Sequence, residues 1–446
     1  MIAARAHWNA EIETLSGKAR RRIANERLVE QLAYNYRTSP FFCAKFDDAG
    51  LRPSDIRAVE DLARVPFMEK AEIALSQADG TLLGANQCAP LADIVRIQAT
   101  GGTTGQPMRI GLTRRDIADY CEMGARALWA MGCRPGDIVF ECMNYNLYAG
   151  GLSDHLTFEN LGAATIPYGV GQSEKLLAMM AAMTDEVAIW STPSYAVRLA
   201  EAAREGGRTP RDIGLRKGFF SGEAGMQVPG YRQRIEDEWG MVARDMYGTG
   251  ELGLHSGECE RLNHVHFGGT GFAVVELIDP DTGIVLPFAD GAQGEAVHTS
   301  IRRQACPLQR MRSHDLMQVF TAPCGCGRTD FRFRVLGRSD DMFIVKGVNV
   351  FPLAIQATIL GLRPQLTGEF RVTLDRAPPI DYPVPLAVEV AREVPGDVRD
   401  ALAREVAAAV QRAHNFTPAV SLVESGSIAS EKKTRRVVRA YRGETG

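Results

Sequence analysis

The 446-residue sequence exceeds what one hydrophobic core usually supports, so two or more packed units are expected. Apolar residues make up 45% and charged residues 24%, the ordinary balance of a soluble globular protein. A formal net charge of −3 argues against a nucleic-acid backbone as the main partner, which would call for a basic surface.

The start, Met1 to Asn9, lacks the apolar segment of a signal peptide. No run of about 18 uncharged apolar residues occurs, so no membrane span is expected. Nine cysteines, an odd number without a small-domain framework, favour a reducing compartment. The expectation is a cytoplasmic protein that engages neither nucleic acid nor membrane. The basic clusters Lys18 to Arg22 and Lys432 to Arg436 read as solvated faces.

Residues 9–37 carry Ile12, Leu15, Ile23, Leu28 and Leu32 at helical spacing among many charges, as amphipathic surface helices do. Pro66 ends that pattern. A β-type run, Ile94 to Gln98, feeds a loop rich in glycine and threonine. Helical and strand patterns then alternate: helices over 116–131, 151–161, 173–183 and 195–205, and strands over 137–142, 164–167, 187–190 and 217–220. This alternation predicts a parallel sheet covered by helices. After residue 265 the texture becomes antiparallel. Towards the C-terminus, strands at 370–374, 384–390 and 420–423 flank a helix from about Val398 to Ala413. Asp397 is placed to cap that helix, and Val398, Leu402, Val406 and Val410 stack along it. The fold class is therefore α/β, with a large N-terminal domain of mixed and parallel sheets and a small α+β C-terminal domain.

Several loops carry chemistry. Ala99 to Pro107 follows a strand, and its glycines, threonine hydroxyls (Thr100, Thr103, Thr104) and backbone N–H groups suit phosphate oxygens. It lacks the ending of a Walker A loop. Ser221-Gly222-Glu223-Ala224 and Asp245-Met246-Tyr247-Gly248-Thr249-Gly250-Glu251 are expected at strand ends of the same sheet. The second offers a ring to stack on a base, a hydroxyl for phosphate and a carboxylate for Mg²⁺, which takes one or two carboxylates plus phosphate oxygens. Arg312-Ser313-His314-Asp315 supplies a carboxylate for ribose hydroxyls. Gly337-Arg338-Ser339-Asp340-Asp341, followed by Met342 to Pro352, reads as a crossing between packed units.

Taken in order, these motifs resemble the adenylate-forming superfamily, most closely the phenylacetate–coenzyme A ligase family, over nearly all of residues 60–440. The resemblance implies a domain of residues 1–337, a hinge at 338–341 and a mobile lid domain at 342–446. It also implies that Thr100, Gly102, Thr103, Thr104 and Gly105 hold the ATP β/γ-phosphates. Gly222, Glu223 and Ala224 would line the adenine, within a nucleotide site shared with Asp245, Met246 and Gly248. Tyr247 would pack on the base, Thr249 contact the α-phosphate and Glu251 hold Mg²⁺. Asp315 and Arg338 would bind ribose, Asp340 would be the hinge, and Gly347 would lie at the pantetheine tunnel for coenzyme A. Ser430 to Val437 resembles the segment carrying the family's catalytic lysine, which falls on Lys433, with Lys432 as its neighbour. Gly101 and Gln106 stand where the family's phosphate loop has serine and lysine, and Lys432 where it has glycine. A homodimer is a family-level expectation.

Cys259, His266, Cys324 and Cys326 form a set of three thiols and an imidazole suited to a structural, tetrahedral Zn²⁺. Similar cysteine and histidine spacing in the same family supports that reading. Buried free cysteines are the alternative, with His264 and then His255 as competing ligands. For the acid, the resemblance points to Tyr145 or Tyr148, with Gly169, Gly171 and Met246 as further pocket residues. The implied activity is ATP-dependent, AMP-forming ligation of an aryl carboxylic acid such as phenylacetate, benzoate or anthranilate to coenzyme A. Loading a carrier-protein thiol, or a catalytically silent zinc-stabilised binding protein, are the competing readings. No G-x-G-x-x-G follows a strand as a nicotinamide enzyme would require.

Overall fold

The structure is a computed structural model. It describes residues 5–78, 80–100, 108–339, 341–345, 348–377, 379–380, 382–428 and 435–444. The chain divides into two compact units. One comprises residues 1–191, 213–222 and 242–334, the other 192–212, 223–241 and 335–446.

The first unit is built on an eleven-stranded mixed sheet. Its parallel part contains Ile138–Glu141, Ala164–Pro167, Val187–Ser191, Leu215–Phe220 and the start of Val242–Thr249. From Val242–Thr249 onwards the pairing turns antiparallel through Gly253–Glu258 and Val265–Phe267. The change to antiparallel pairing thus comes at Gly253–Glu258, earlier than the change of texture expected after residue 265. Helices Arg114–Ala130 and Ala149–Leu161 pack on Gly253–Glu258. Beneath them Phe158, Trp190, Phe219, Met246 and Leu254 form one buried cluster. Near the N-terminus, helix Gly17–Thr38 buries Leu28 and Leu32 against Phe46 and Ile301.

One sequence expectation is corrected. Ile94–Ala99 is not a strand of the main sheet but pairs antiparallel with Arg109–Thr113 as a separate two-stranded ribbon. A single strand carries its propensity but not the identity of its partner, and here the partner lies just beyond the glycine-rich loop.

The second unit contains the C-terminal four-stranded sheet, ordered Pro418–Val423, Val384–Val390, Leu366–Leu374 and Val437–Arg439. Phe370, Val388, Ile355 and Val406 are fully buried in its core. Leu402, Val406 and Val410 of helix Arg399–His414 point inward as predicted, whereas Val398 is 43% exposed. Asp397 does not cap this helix: it sits inside a 3₁₀ turn, Gly396–Val398, and Val398 takes the cap position without a side-chain bond. Among the described residues, no helix is long and apolar enough to cross a membrane.

Candidate active site

Residues 245–251 run off the C-terminal end of the strand at which the large sheet changes from parallel to antiparallel pairing, the kind of position where α/β folds place their ligands. The strand Val242–Thr249 turns back into Gly253–Glu258 so tightly that a Cβ on Gly248 would come within 2.8 Å of the Gly253 carbonyl. Only glycine fits there. Thr249 Oγ1 accepts the Leu252 amide at 3.1 Å and closes the turn. The carboxylate of Glu251 is thereby held in a buried position, 4% exposed.

A network from distant segments fixes this loop. Thr113 and Asp116 form a reciprocal capping box (3.1 and 3.0 Å) that starts helix Arg114–Ala130. One turn on, Tyr120 donates to the Glu251 carbonyl at 2.5 Å, and Arg303 donates to the same carbonyl at 2.8 Å and to the Tyr120 hydroxyl at 2.7 Å. The side chain of Glu251 meets Lys70, Nζ to Oε1 at 2.7 Å. Burial works to raise the Glu251 carboxyl, but the Lys70 ammonium and donors of the loop outweigh it and hold the group below its ordinary range. Glu251 is therefore an anion at neutral pH, the charge state that a Mg²⁺ ligand requires, and it is paired here with Lys70.

Lys70, Tyr120 and Arg303 were not singled out from the sequence, because none of them lies within a motif. Lys70 arrives because Met68 donates to the Arg310 carbonyl and accepts from the Arg312 amide, both at 3.1 Å, laying the segment beside the RSHD strand.

Tyr247 and Asp315 meet, with the phenol donating to Asp315 Oδ2 at 2.5 Å. The ring is held edge-on by His255 (5.4 Å) and Phe333 (5.2 Å). Asp315 follows His314, which takes a left-handed φ of +62° within the strand Met311–Phe320, a conformation rare outside glycine. Thr100 presses on the same loop, since a Cβ on Gly250 would meet its Cγ2 at 2.8 Å. The stem of the phosphate loop and the Mg²⁺-ligand candidate are thus neighbours. Gly102, Thr103, Thr104, Gly105, Asp340, Gly347, Lys432 and Lys433 lie outside the described residues.

Asp245 and Met246 serve the fold at this point. Asp245 Oδ1 accepts the Met246 amide at 2.9 Å, and the Met246 side chain is buried against the core beside Trp190. Gly222 adopts φ +85°. In the second unit, Glu223 accepts from the Ser194 hydroxyl at 2.8 Å, and Arg338 lies 4.0 Å from Asp341. On the acid side, the Tyr145 hydroxyl is 3.1 Å from His155 Nδ1, Tyr148 bridges Ala99, and Gly169 and Gly171 take φ values of +77° and +89°.

The four predicted zinc ligands converge, their ligand atoms all within 4.8 Å of one another. Cys259 Sγ and Cys324 Sγ are 3.8 Å apart, and Cys326 Sγ and His266 Nε2 are 3.5 Å apart. A tetrahedron with Zn–S of about 2.3 Å and Zn–N of about 2.05 Å has edges of ~3.8 Å and ~3.5 Å, so the set fits the ion. His264 is excluded as a ligand because it stacks on Phe320 at 4.1 Å. His255 lies against Tyr247 and is not in this cluster of ligand atoms.

The comparisons with known proteins agree with this geometry. A phenylacetate-coenzyme A ligase of Thermus thermophilus is 33% identical over 413 residues, covering 91% of this chain and 90% of that protein. The chain belongs to the phenylacetate–coenzyme A ligase family. It is an acid–thiol ligase of the adenylate-forming superfamily. A second phenylacetate-coenzyme A ligase, from Pseudomonas putida, is 35% identical over 82% of this chain and 81% of its own length. Residues 347–440 of the ligase match the AMP-binding enzyme C-terminal domain. A crystal structure of 2-hydroxyisobutyryl-CoA ligase with its acyl-AMP superposes with a TM-score of 0.91 at 31% identity, covering 99% of this chain and 95% of that one.

Proposed function

We propose that the enzyme joins an aryl carboxylic acid to coenzyme A at the expense of ATP, through an acyl-adenylate. The observation that carries this reading is the Glu251 loop: a buried anionic carboxylate beside Thr249 and Thr100, with Tyr247 of the same hairpin bonded to Asp315 of the strand Met311–Phe320. Family membership supports coenzyme A as acceptor and does not favour carrier-protein loading or a silent binding protein. Phenylacetate, benzoate and anthranilate are the substrate candidates.

In the first half-reaction a carboxylate oxygen of the acid attacks the α-phosphorus of ATP, and pyrophosphate leaves. The barrier is mainly charge and alignment. Thr249 orients the α-phosphate, Lys433 stabilises charge on the transferring group, and Tyr247 with Asp315 holds the nucleoside. Arg338 assists at the ribose, and Gly222, Glu223 and Ala224 face the adenine. Mg²⁺, when bound on Glu251, neutralises phosphate charge; the Lys70 ammonium already at that carboxylate adds a second positive charge. In the second half-reaction the coenzyme A thiol attacks the acyl carbonyl and AMP leaves. That step needs Lys433 withdrawn and a pantetheine path past Gly347, so the lid, residues 342–446, turns about Asp340. The cysteine and histidine cluster holds a structural zinc.

The reading is tested by pyrophosphate release with MgATP and a panel of aryl and short fatty acids, each with and without coenzyme A. Thioester formed from an aryl acid supports it. Adenylate without thioester in the presence of coenzyme A overturns the acceptor, and turnover confined to fatty acids overturns the substrate class. Asp340→Pro is expected to leave adenylation within about twofold while suppressing thioester formation more than about tenfold, because proline restricts the backbone torsion that a hinge must change. Single-turnover assays of each half-reaction check this, and equal damage to both removes the hinge role. Tyr247→Phe removes the bond to Asp315, worth about 1 kcal/mol net, so KM for ATP should rise roughly fivefold. A drop in kcat at constant KM would instead place the pair in the chemical step.

A further inference from the structure

The second unit holds a contact between parts of the chain that the proposed turn of the lid would separate. Residues 192–212 and 223–241 belong to that unit, yet each is joined at both ends to strands of the large sheet, Val187–Ser191, Leu215–Phe220 and Val242–Thr249. Residues 342–446 join the rest of the chain only through the crossing at 338–341. A turn there moves the lid and leaves the other two segments behind.

On the lid side of this boundary the strand Leu366–Leu374 is irregular. Its register with Val384–Val390 slips between Leu366 and Phe370, so that residues 367–369 oppose Glu389 alone. Gly368 takes φ +95°, and a Cβ on it would come within 2.4 Å of Leu360 Cδ2, so the bulge needs glycine. The Thr367 hydroxyl accepts the Glu369 amide at 3.2 Å and closes it. A bulge re-aims the groups it carries, and here the Thr367 carbonyl receives an arginine. Arg234, 8% exposed on helix Tyr231–Trp239, donates Nη1 to that carbonyl at 2.7 Å. Its Nε donates to Glu238 at 3.0 Å, and its Nη2 to Glu201 of helix Pro193–Glu205 at 3.4 Å. One guanidinium thus ties two helices that stay with the sheet to the lid.

The far side of the bulge leads to the nucleotide loop. Glu369 accepts from Arg436 Nη2 at 2.9 Å, and Nη1 lies 2.7 Å from its second oxygen. Burial pushes the Glu223 carboxyl up, and the Arg436 charge acts against that rise, so the guanidinium stands near the Ser221 to Ala224 loop. Arg436 is three residues beyond Lys433 in the chain. Docking of the bulge therefore goes with approach of the lysine-bearing segment to the adenine loop.

We propose that Arg234 is a positioning residue of adenylation: its bond to the bulge docks the lid in the pose that brings the Lys433 segment to the nucleotide, and breaks when the lid turns to admit the thiol. This deepens the reading above and rests on the lid turning about Asp340. A charged donor on a buried carbonyl makes one of the stronger hydrogen bonds, so its loss shifts the balance between the two poses.

The test measures the half-reactions separately in the full-length enzyme, with phenylacetate or whichever acid the panel above selects. One assay is acid-dependent ATP–pyrophosphate exchange, the other thioester formation from the pre-formed acyl-adenylate and coenzyme A. Arg234→Met keeps the stem and removes the donors. It should slow exchange about tenfold or more and leave the thiol step within about twofold of wild type, or faster. Arg234→Lys keeps the charge beside Glu201 and Glu238 but has one nitrogen where arginine has three. It should shift the ratio of the two rates the same way by about threefold, and it decides the matter where thermal unfolding shows the methionine variant unfolded. A folded variant with an unchanged ratio overturns the proposal. Equal slowing of both steps does so too, making Arg234 a structural residue, and selective loss of the thiol step assigns the contact to the other pose. Asp340→Pro separates this from the lid reading. Equal damage to both half-reactions there removes the turn and the docking role together. Spared adenylation there, with Arg234 variants of unchanged ratio, leaves a lid that turns without this contact.

Discussion

Replacing Lys433 by alanine is expected to slow acid-dependent ATP–pyrophosphate exchange by at least about a hundredfold. A single well-placed charge or donor facing the developing charge of a transition state is worth roughly 3–4 kcal/mol. Lys432→Ala, one residue away, should stay within a few-fold of wild type. The reverse pattern would transfer the role to Lys432. Thioester formation from pre-formed acyl-adenylate should survive Lys433→Ala if, as proposed, the lysine leaves before the thiol enters. Loss of both half-reactions to the same extent would mean that Lys433 holds the domain together rather than acting in adenylation.

Motifs whose chemistry is local were legible in the sequence. Tyr247, Thr249 and Glu251 sit on one tight hairpin that Gly248 permits, so their spacing along the chain is also their spacing in the site. The cysteine and histidine set was legible for another reason: three thiols and an imidazole have few other reasons to recur at those positions, and the 3.8 and 3.5 Å separations show that the four side chains converge. Residues that reach the site through tertiary structure were invisible. Lys70 is brought to Glu251 by backbone pairing of Met68 with the strand of Asp315, and Arg303 by the far side of the Asp116 cap. The misplacement of Ile94–Ala99 has the same origin, since pairing partners are chosen by the whole chain.

Removing the zinc is expected to damage the first unit more than the chemistry. Cys259 follows the strand Gly253–Glu258, His266 lies in Val265–Phe267, and the Cys324–Cys326 turn joins Met311–Phe320 to Arg332–Arg338. The ion would therefore tie together strands of the antiparallel half of the sheet, whose register positions Tyr247 and Asp315. Three thiols and an imidazole converge within 4.8 Å of one another, three of the four residues buried. Loss of a structural metal belongs to the small class of changes costing ~4 kcal/mol or more. At roughly 2 °C per kcal/mol for a large domain, Cys259→Ser should lower Tm by ~8 °C or more. Metal analysis should find one zinc per chain, and the variant should lose it. Because all four coordination positions are filled by protein, adenylation measured well below Tm should fall only a few-fold. A hundredfold loss there would mean an open, catalytic site, and an unchanged Tm would return the cluster to four ordinary buried side chains.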